Sequence, residues 1–226
     1  MDWRYNTVWF DQISDEIQYH LNWKENKVDQ ARLSEAIYSV IWHMTVEDKS
    51  FENLPVSSAL KFLELNWSNC KDLIWINKFP NLRRLELHYC VNLASLEGIQ
   101  LLADSLQFLH LNQSKKISNV DCLLGLKKLR VLCLNSCGDI DNLKFLEKFP
   151  ELIDFRFVDT NVLDGDLTPI IQHPKIRSVG FLNKRHYNYK PEQLKKIVEE
   201  KGDDQFKNFA WKGEFKTFKY KSYETE

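Results

Sequence analysis

One recurring phrase restricts the possible folds more than any other property of this chain. It runs apolar, two residues, apolar, one residue, apolar, two residues, then a small polar residue or cysteine. The copies are Leu60-x-x-Leu63-x-Leu65-x-x-Ser68, Leu82-x-x-Leu85-x-Leu87-x-x-Cys90, Leu106-x-x-Leu109-x-Leu111-x-x-Ser114 and Leu129-x-x-Leu132-x-Leu134-x-x-Cys137. Two looser copies follow, Leu152-x-x-Phe155-x-Phe157-x-x-Thr160 and Ile176-x-x-Val179-x-Phe181-x-x-Lys184. Their first positions, 60, 82, 106, 129, 152 and 176, are separated by 22, 24, 23, 23 and 24 residues. One more step of 23 back lands on Ile37-x-x-Val40-x-Trp42-x-x-Thr45, read as a degenerate seventh copy. Alternate side chains of a strand face opposite ways, so Leu63 and Leu65 and their counterparts point to an interior. One copy cannot bury its own leucines; stacking successive copies does, which predicts a coil of parallel strands with one strand per copy. Apolar residues between the strands, such as Leu93, Leu96 and Ile99, or Ile140, Leu143 and Leu146, predict short irregular or helical turns closing each coil.

The phrase resembles the leucine-rich repeat family over roughly residues 37–184. The family favours Asn or Cys at the ninth position; here Cys90 and Cys137 match, with Ser68, Ser114, Thr160 and Thr45 substituting. Each can hydrogen-bond turn backbone after a buried strand. Lys184 breaks the pattern and marks where the ladder stops. The short period and the Phe79-Pro80 and Phe149-Pro150 pairs resemble the short-repeat bacterial or phosphatase-regulator type. The resemblance implies an α/β solenoid of about seven repeats, with a curved parallel sheet on its concave face and caps at both ends. The domains follow: an N-terminal cap over 1–36, the solenoid over 37–184 and a C-terminal cap over 185–226. In the first cap, Trp9, Ile13, Ile17 and Leu21 at i, i+4 spacing predict an amphipathic helix. In the last, Pro191 starts a helix that stops near Gly202, and the aromatic stretch from Phe206 to Tyr220 predicts an added strand or a hairpin around Gly213.

Composition excludes several functions. Lys+Arg 31 against Asp+Glu 32 leaves a net charge of -1, without the surplus of cations that nucleic-acid binding needs. No apolar run approaches the roughly 18 residues of a membrane span. The start, Met1-Asp2-Trp3-Arg4, lacks the form of a secretory signal, so the five cysteines are expected reduced in a cytoplasm. No phosphate-binding glycine loop and no metal-ligand spacing of Cys and His occurs, so neither cofactor nor metal is expected. Charge is uneven: residues 1–58 hold 5 basic against 10 acidic residues, and residues 184–226 hold 11 against 8.

The outward rows form the candidate site. Glu64, Glu86, His110, Cys133, Arg156 and Gly180 make one row. Asn66, His88, Asn112 and Asn135 make the next, followed by Trp67, Tyr89, Gln113 and Ser136. Phe62, Arg84, Phe108, Val131 and Asp154 lie on the other side. At about 4.8 Å between strands, seven strands give a face on the order of 30 Å wide, suited to a protein surface. Trp, Tyr, Phe, His and Arg on a rigid surface are the types that carry interface energy. The partner-binding residues are therefore expected to be Trp67, Tyr89, His88, Glu86, Arg84, Phe108, Glu64, His110 and Arg156, with Trp67 and Tyr89 foremost. Glu86, His110 and Cys133 stand in the order of orienter, base and nucleophile, but an open sheet supplies neither oxyanion donors nor a water-excluding pocket. The leading expectation is a non-enzymatic module that binds one protein partner on its concave face, with no nucleic-acid, membrane or small-molecule ligand. Single-solenoid proteins of this kind resemble the immunity proteins of polymorphic toxin systems, which implies neutralisation of a cognate toxin domain. The alternatives are a regulatory adaptor subunit and, remotely, a cysteine hydrolase. An F-box-type adaptor lacks support, because residues 1–36 show no Leu-Pro-rich three-helix pattern.

Overall fold

The computed structural model describes residues 1–117, 119–202 and 206–223; positions 203–205 and 224–226 of the expected C-terminal cap lie outside the described residues. Strands β1 (Gln18–Asn22), β2 (Tyr38–Trp42), β3 (Phe62–Asn66), β4 (Arg84–His88), β5 (Phe108–Asn112), β6 (Val131–Asn135), β7 (Asp154–Arg156) and β8 (Ser178–Gly180) form one parallel sheet in chain order. The chain is thus α/β, with few helices: α1 (Gln30–Glu35), α2 (Thr168–Gln172) and α3 (Pro191–Glu199). Between the central strands the chain returns through 3-10 turns at Ile76–Lys78, Ile99–Leu102, Asp121–Leu123 and Lys144–Lys148.

The register places like on like. Leu63, Leu85, Leu109, Leu132, Phe155 and Val179 are successive partners, as are Leu65, Leu87, Leu111 and Leu134. These leucines are fully or almost fully buried, together with the turn residues Leu73, Ile76, Phe79, Leu96, Ile99, Leu102, Leu143 and Leu146. Each contributes on the order of 1.5–3 kcal/mol of burial. The ninth-position residues tie the turns down. Cys90 Sγ lies 3.6 Å from the His88 carbonyl, and Thr160 Oγ1 donates to the Leu134 carbonyl at 2.6 Å and accepts from the Cys137 N–H at 2.9 Å. Ser114 departs from this, its buried hydroxyl having no hydrogen-bond partner among the described residues. Gly98 is required where it stands: its φ is +103°, and a Cβ would lie 2.1 Å from the Leu73 carbonyl oxygen.

Two sequence expectations are corrected. Residues 9–21 form no amphipathic helix. They make 3-10 turns at Phe10–Gln12 and Asp15–Ile17, then β1, so the sheet has one strand more than the seven expected. Ile17, Tyr19 and Leu21 also alternate with period two, and pairing of β1 with β2 satisfies the backbone that a helix would have satisfied internally. The seventh phrase is also misplaced by one residue. Ser39 pairs with Leu63 and Ile41 with Leu65, so the inward residues are Ala36, Ser39, Ile41 and Met44, all buried. A slip of one residue exchanges the faces of a strand, and Val40 and Trp42 therefore point outward. Ser39 fits among leucines because its Oγ donates to the Tyr19 carbonyl at 3.1 Å.

At the far end, α3 begins at Pro191 as expected and buries Leu194 and Val198 in the same core. The aromatic tail is a hairpin, β9 (Lys207–Lys212) and β10 (Phe215–Tyr220), turning at Gly213 with φ +58°. It does not extend the sheet; it packs with residues 1–13 across the outer face. The Asn6 N–H donates to the Phe218 carbonyl at 2.7 Å, the Thr7 N–H to Thr217 Oγ1 at 2.8 Å, and Arg4 to the Tyr223 carbonyl at 2.8 Å. A second core results, in which Trp3, Ile13, Tyr220 and Tyr223 cover Tyr38, Val40, Phe62, Phe108, Val131 and Cys133. Among the described residues, no helix is long and apolar enough to cross a membrane.

Candidate functional site

The outer face of the sheet has three rows of differing accessibility. The row nearest the strand starts, Tyr38, Phe62, Arg84, Phe108, Val131 and Asp154, is buried beneath the chain ends. Arg84 is its centre. Its guanidinium stands 3.7 Å from the Phe108 ring centroid and 5.3 Å from that of Phe62. It donates to the carbonyls of Trp3 at 2.8 Å, Tyr5 at 2.5 Å and Asn6 at 3.1 Å. Its Nε also meets Glu86 Oε1 at 2.6 Å. Arg84, Phe108 and Glu86 were expected on display for a partner; each is buried, because the N-terminal segment occupies the place in front of them.

The middle row, Glu64, Glu86, His110, Cys133 and Arg156, is the floor of a groove of about 390 Å³, walled by Asn6, Thr7, Val8 and Phe10. Burial works to raise the Glu86 carboxyl, but Arg84 and hydrogen bonds from His110 and His88 override it and hold the group well below the usual range. Glu86 Oε2 lies 2.9 Å from His88 Nε2 and 3.4 Å from His110 Nδ1. On β7, Arg156 clasps Asp154, donating through Nε at 3.1 Å and Nη2 at 3.1 Å. Glu64 differs from its neighbours: burial, with Glu86 adding to it, raises its carboxyl.

Glu86, His88 and His110 bring ligand atoms within 4.8 Å of one another, a metal-like grouping that a scan of Cys and His spacing could not find. It comes from two residues two apart on β4 and one opposite on β5. The hydrogen bonds argue against a metal there. The Val158 N–H donates to Asn135 Oδ1 at 3.1 Å, which leaves the Asn135 amide group facing His110 Nε2 at 3.0 Å. His110 Nε2 then accepts, so its proton sits on Nδ1 and points at Glu86. A metal on Nδ1 needs the opposite tautomer, and the Arg84 charge beside Glu86 further disfavours a dication.

Cys133 is likewise no activated thiol. It is buried, and its thiol is pushed far above the ordinary value, by burial first and then by Asp154. Among the described residues no hydrogen bond joins it to His110.

At and just beyond the strand ends, Trp42, Trp67 and Tyr89 stay open. Asn66 and His88 end β3 and β4, and the next residue of each rung turns left-handed: His43, Trp67, Tyr89, Gln113, Ser136 and Asp159 have φ between 49° and 59°. From His43 to Ser136 that turn lets the N–H reach the following rung, as in Trp67 N–H to the His88 carbonyl and Tyr89 N–H to the Asn112 carbonyl, both 2.9 Å. For a bulky residue the conformation costs on the order of 1 kcal/mol. On three consecutive rungs it is nonetheless held by an aromatic ring. Trp67 and Tyr89 stack at 4.9 Å and 9°, and His43 stacks on Trp67 at 5.4 Å and 15°. Trp42, from the end of β2, lies 5.4 Å from Trp67. Trp42, Trp67 and Tyr89 are 38%, 45% and 41% exposed.

The structure therefore separates the expected residues. Trp67 and Tyr89 form the open stack, and His88 lies half-buried at its foot. Glu64, His110 and Arg156 keep partial exposure in the groove. Trp42 and His43 were not read as part of the exposed row, although the frame Ala36-x-x-Ser39-x-Ile41-x-x-Met44 would have turned Trp42 outward. No protein-family model matches the chain, and no curated protein matches it.

Proposed function

We propose that this chain is a leucine-rich repeat solenoid acting as a non-enzymatic protein-binding module. It docks its partner on the row Trp42, His43, Trp67 and Tyr89 rather than over the whole concave face. Following the sequence resemblance, the partner is a toxin domain that the chain neutralises.

The observation that carries the docking surface is the stack itself. Three large aromatic side chains lie near 40% exposed, each in ring contact with the next, at the ends of adjacent strands. Two of them occupy left-handed positions where a smaller residue costs less. Trp and Tyr in such a place are the residues that dominate interface energy. The surrounding N-terminal quarter is acidic, which favours a basic partner surface. The solenoid reading is supported by the in-order parallel sheet and by the leucine positions at its core.

The test is affinity purification of the tagged chain from its native host. The dominant co-eluting chain is expected to be the product of a neighbouring gene, toxic when expressed alone. Trp67→Ala with Tyr89→Ala is expected to weaken that complex by about thirty-fold or more, the effect of losing an interface hot spot of about 2 kcal/mol. Leu182→Ala, an exposed apolar residue beyond β8, is expected to leave it unchanged. Equal binding by the double variant overturns the docking surface. Co-elution with several subunits of a larger assembly replaces neutralisation by an adaptor role.

A further inference from the structure

We propose that the groove between the N-terminal segment and the sheet receives a cationic side chain, a lysine or an arginine, from the docked protein partner, with Glu64 as its counter-ion. The proposal rests on the protein-binding reading above and adds the chemistry of the partner.

Charge pairing in the groove singles out Glu64. Its floor is one row of the sheet, from Glu64 on β3 to Arg156 on β7, about 19 Å at the spacing of adjacent strands. Arg84 is matched by Glu86 at 2.5 Å and Arg156 by Asp154 at 3.1 Å. Glu64 is the acid left over. Its Oε1 accepts from Asn66 Nδ2 at 2.7 Å, and no basic side chain forms an ion pair with it among the described residues.

The walls suit an organic cation. Phe10, half-buried, lines the same groove, and an aromatic ring attracts ammonium and guanidinium groups. Its volume, about 390 Å³, lies at the small end of ligand pockets, enough for one long side chain. A carboxylate in a partly desolvated site carries a raised proton affinity that an incoming cation relieves.

The source is a protein because Glu64 and the stack share a rung of the sheet, so the surface proposed to dock a protein begins close to the groove. Glu64 and Trp67 are three residues apart on a single rung, about 10 Å along the strand. One loop of a partner seated on the Trp67–Tyr89 stack therefore reaches Glu64 with a lysine or arginine.

The test is a titration of the labelled full chain with Nα-acetyl-argininamide and Nα-acetyl-lysinamide, followed by NMR at the Glu64 side-chain carboxyl carbon and at Phe62 and His110. Saturable shifts at these positions are expected from both, with none from the neutral Nα-acetyl-citrullinamide. Glu64→Gln is expected to weaken the response about ten-fold or more, as loss of a charge-assisted bond implies. The carboxyl titration of Glu64 is expected to move to lower pH in the presence of the arginine compound. Equal shifts from the citrulline compound, an unchanged response in Glu64→Gln, or no shift in the groove overturns the proposal. Spermidine binding more tightly than either compound reassigns the groove to a free polyamine and overturns it as well. Trp67→Ala with Tyr89→Ala is expected to leave these titrations intact, so failure of the docking surface and failure of the groove are read separately.

Discussion

The two faces of the sheet are built by opposite means. The inner core is periodic: every rung delivers the same two positions, and Leu109 is partnered in register by Leu85 on one side and Leu132 on the other. The outer core has no period. It joins Trp3, Phe62, Phe108 and Tyr223, residues drawn from both chain ends and the middle. It is fastened by contacts such as Arg84 to Trp3 and Arg4 to Tyr223, spanning 81 and 219 residues. The inner face therefore follows from a pattern any short window reveals, whereas the outer face depends on where two termini come to rest. The contrast also assigns roles. The periodic layer makes the scaffold, and the aperiodic layer decides which part of the outer face stays open.

The comparison breaks first at the inner core. Leu109→Ala is expected to cost about 2–5 kcal/mol, read as a lowered urea midpoint for the whole molecule. Arg84→Met is expected to cost less, about 1.5–3 kcal/mol for the lost charge-assisted bonds. His88 and His110 both face Glu86 Oε2 and keep that carboxylate hydrogen-bonded once Arg84 is gone. The distribution of the effect matters more than its size. Hydrogen exchange should accelerate in residues 1–9 and the β9–β10 hairpin while Leu109 and Leu132 amides stay protected, because an aperiodic layer held by few ties opens on its own. Uniform acceleration across β3–β6 would show the two layers to be one cooperative unit.

Legibility in the sequence divides along the same line. Leu63, Leu85, Leu109 and Leu132 were placed correctly because burial repeats at a fixed interval. The copy at β2 was misread because Val40 and Trp42 are as apolar as the true inward pair, Ser39 and Ile41, and one of that pair is a serine. Residues 9–21 were misread because Ile13, Ile17 and Leu21 satisfy a helical spacing while Ile17, Tyr19 and Leu21 satisfy a strand spacing, and only the edge of β2 decides between them. Of the candidate site, Trp67 and Tyr89 were legible as outward aromatics. The burial of Arg84, Glu86 and Phe108 was not, since the covering carbonyls at Trp3, Tyr5 and Asn6 are about 80 residues from Arg84.

Thiol chemistry sharpens the comparison further. Cys70, Cys90 and Cys137 are packed in the inner core, with burial raising their thiols to about 12, about 11 and about 12, and Cys133 belongs to the outer core. Cys122 alone among the five is partly exposed. Iodoacetamide should therefore modify Cys122 first in the native protein. In Arg84→Met, Cys133 should become the second to react, ahead of Cys70, because only the outer layer has been loosened. Cys133 reacting before Cys122 in the unaltered protein would restore the nucleophile reading.

The smallest effect separates two carboxylates that are partners in register, Glu64 and Glu86. For Glu86 the folded-state value is depressed, burial being outweighed by Arg84 and the two histidines. Its contribution to stability is therefore full above the ordinary glutamate range near pH 4.3 and is lost as pH falls through the lower folded value. For Glu64 burial and the neighbouring Glu86 raise the folded value. The folded state then holds that proton more tightly than the unfolded one, and stability declines as pH rises from about 4.3 through the raised value. Glu86→Gln should accordingly lower the melting temperature at pH 7, and the deficit should shrink on acidification. Glu64→Gln keeps the acceptor for Asn66 and removes the uncompensated charge, so it should raise the melting temperature slightly at pH 7, with the gain vanishing below about pH 4. A carboxylate that destabilises its own fold, next to one that supports it, is what a site kept for an external cation requires. A loss of stability in Glu64→Gln at pH 7 would mean that Glu64 serves the fold rather than a partner.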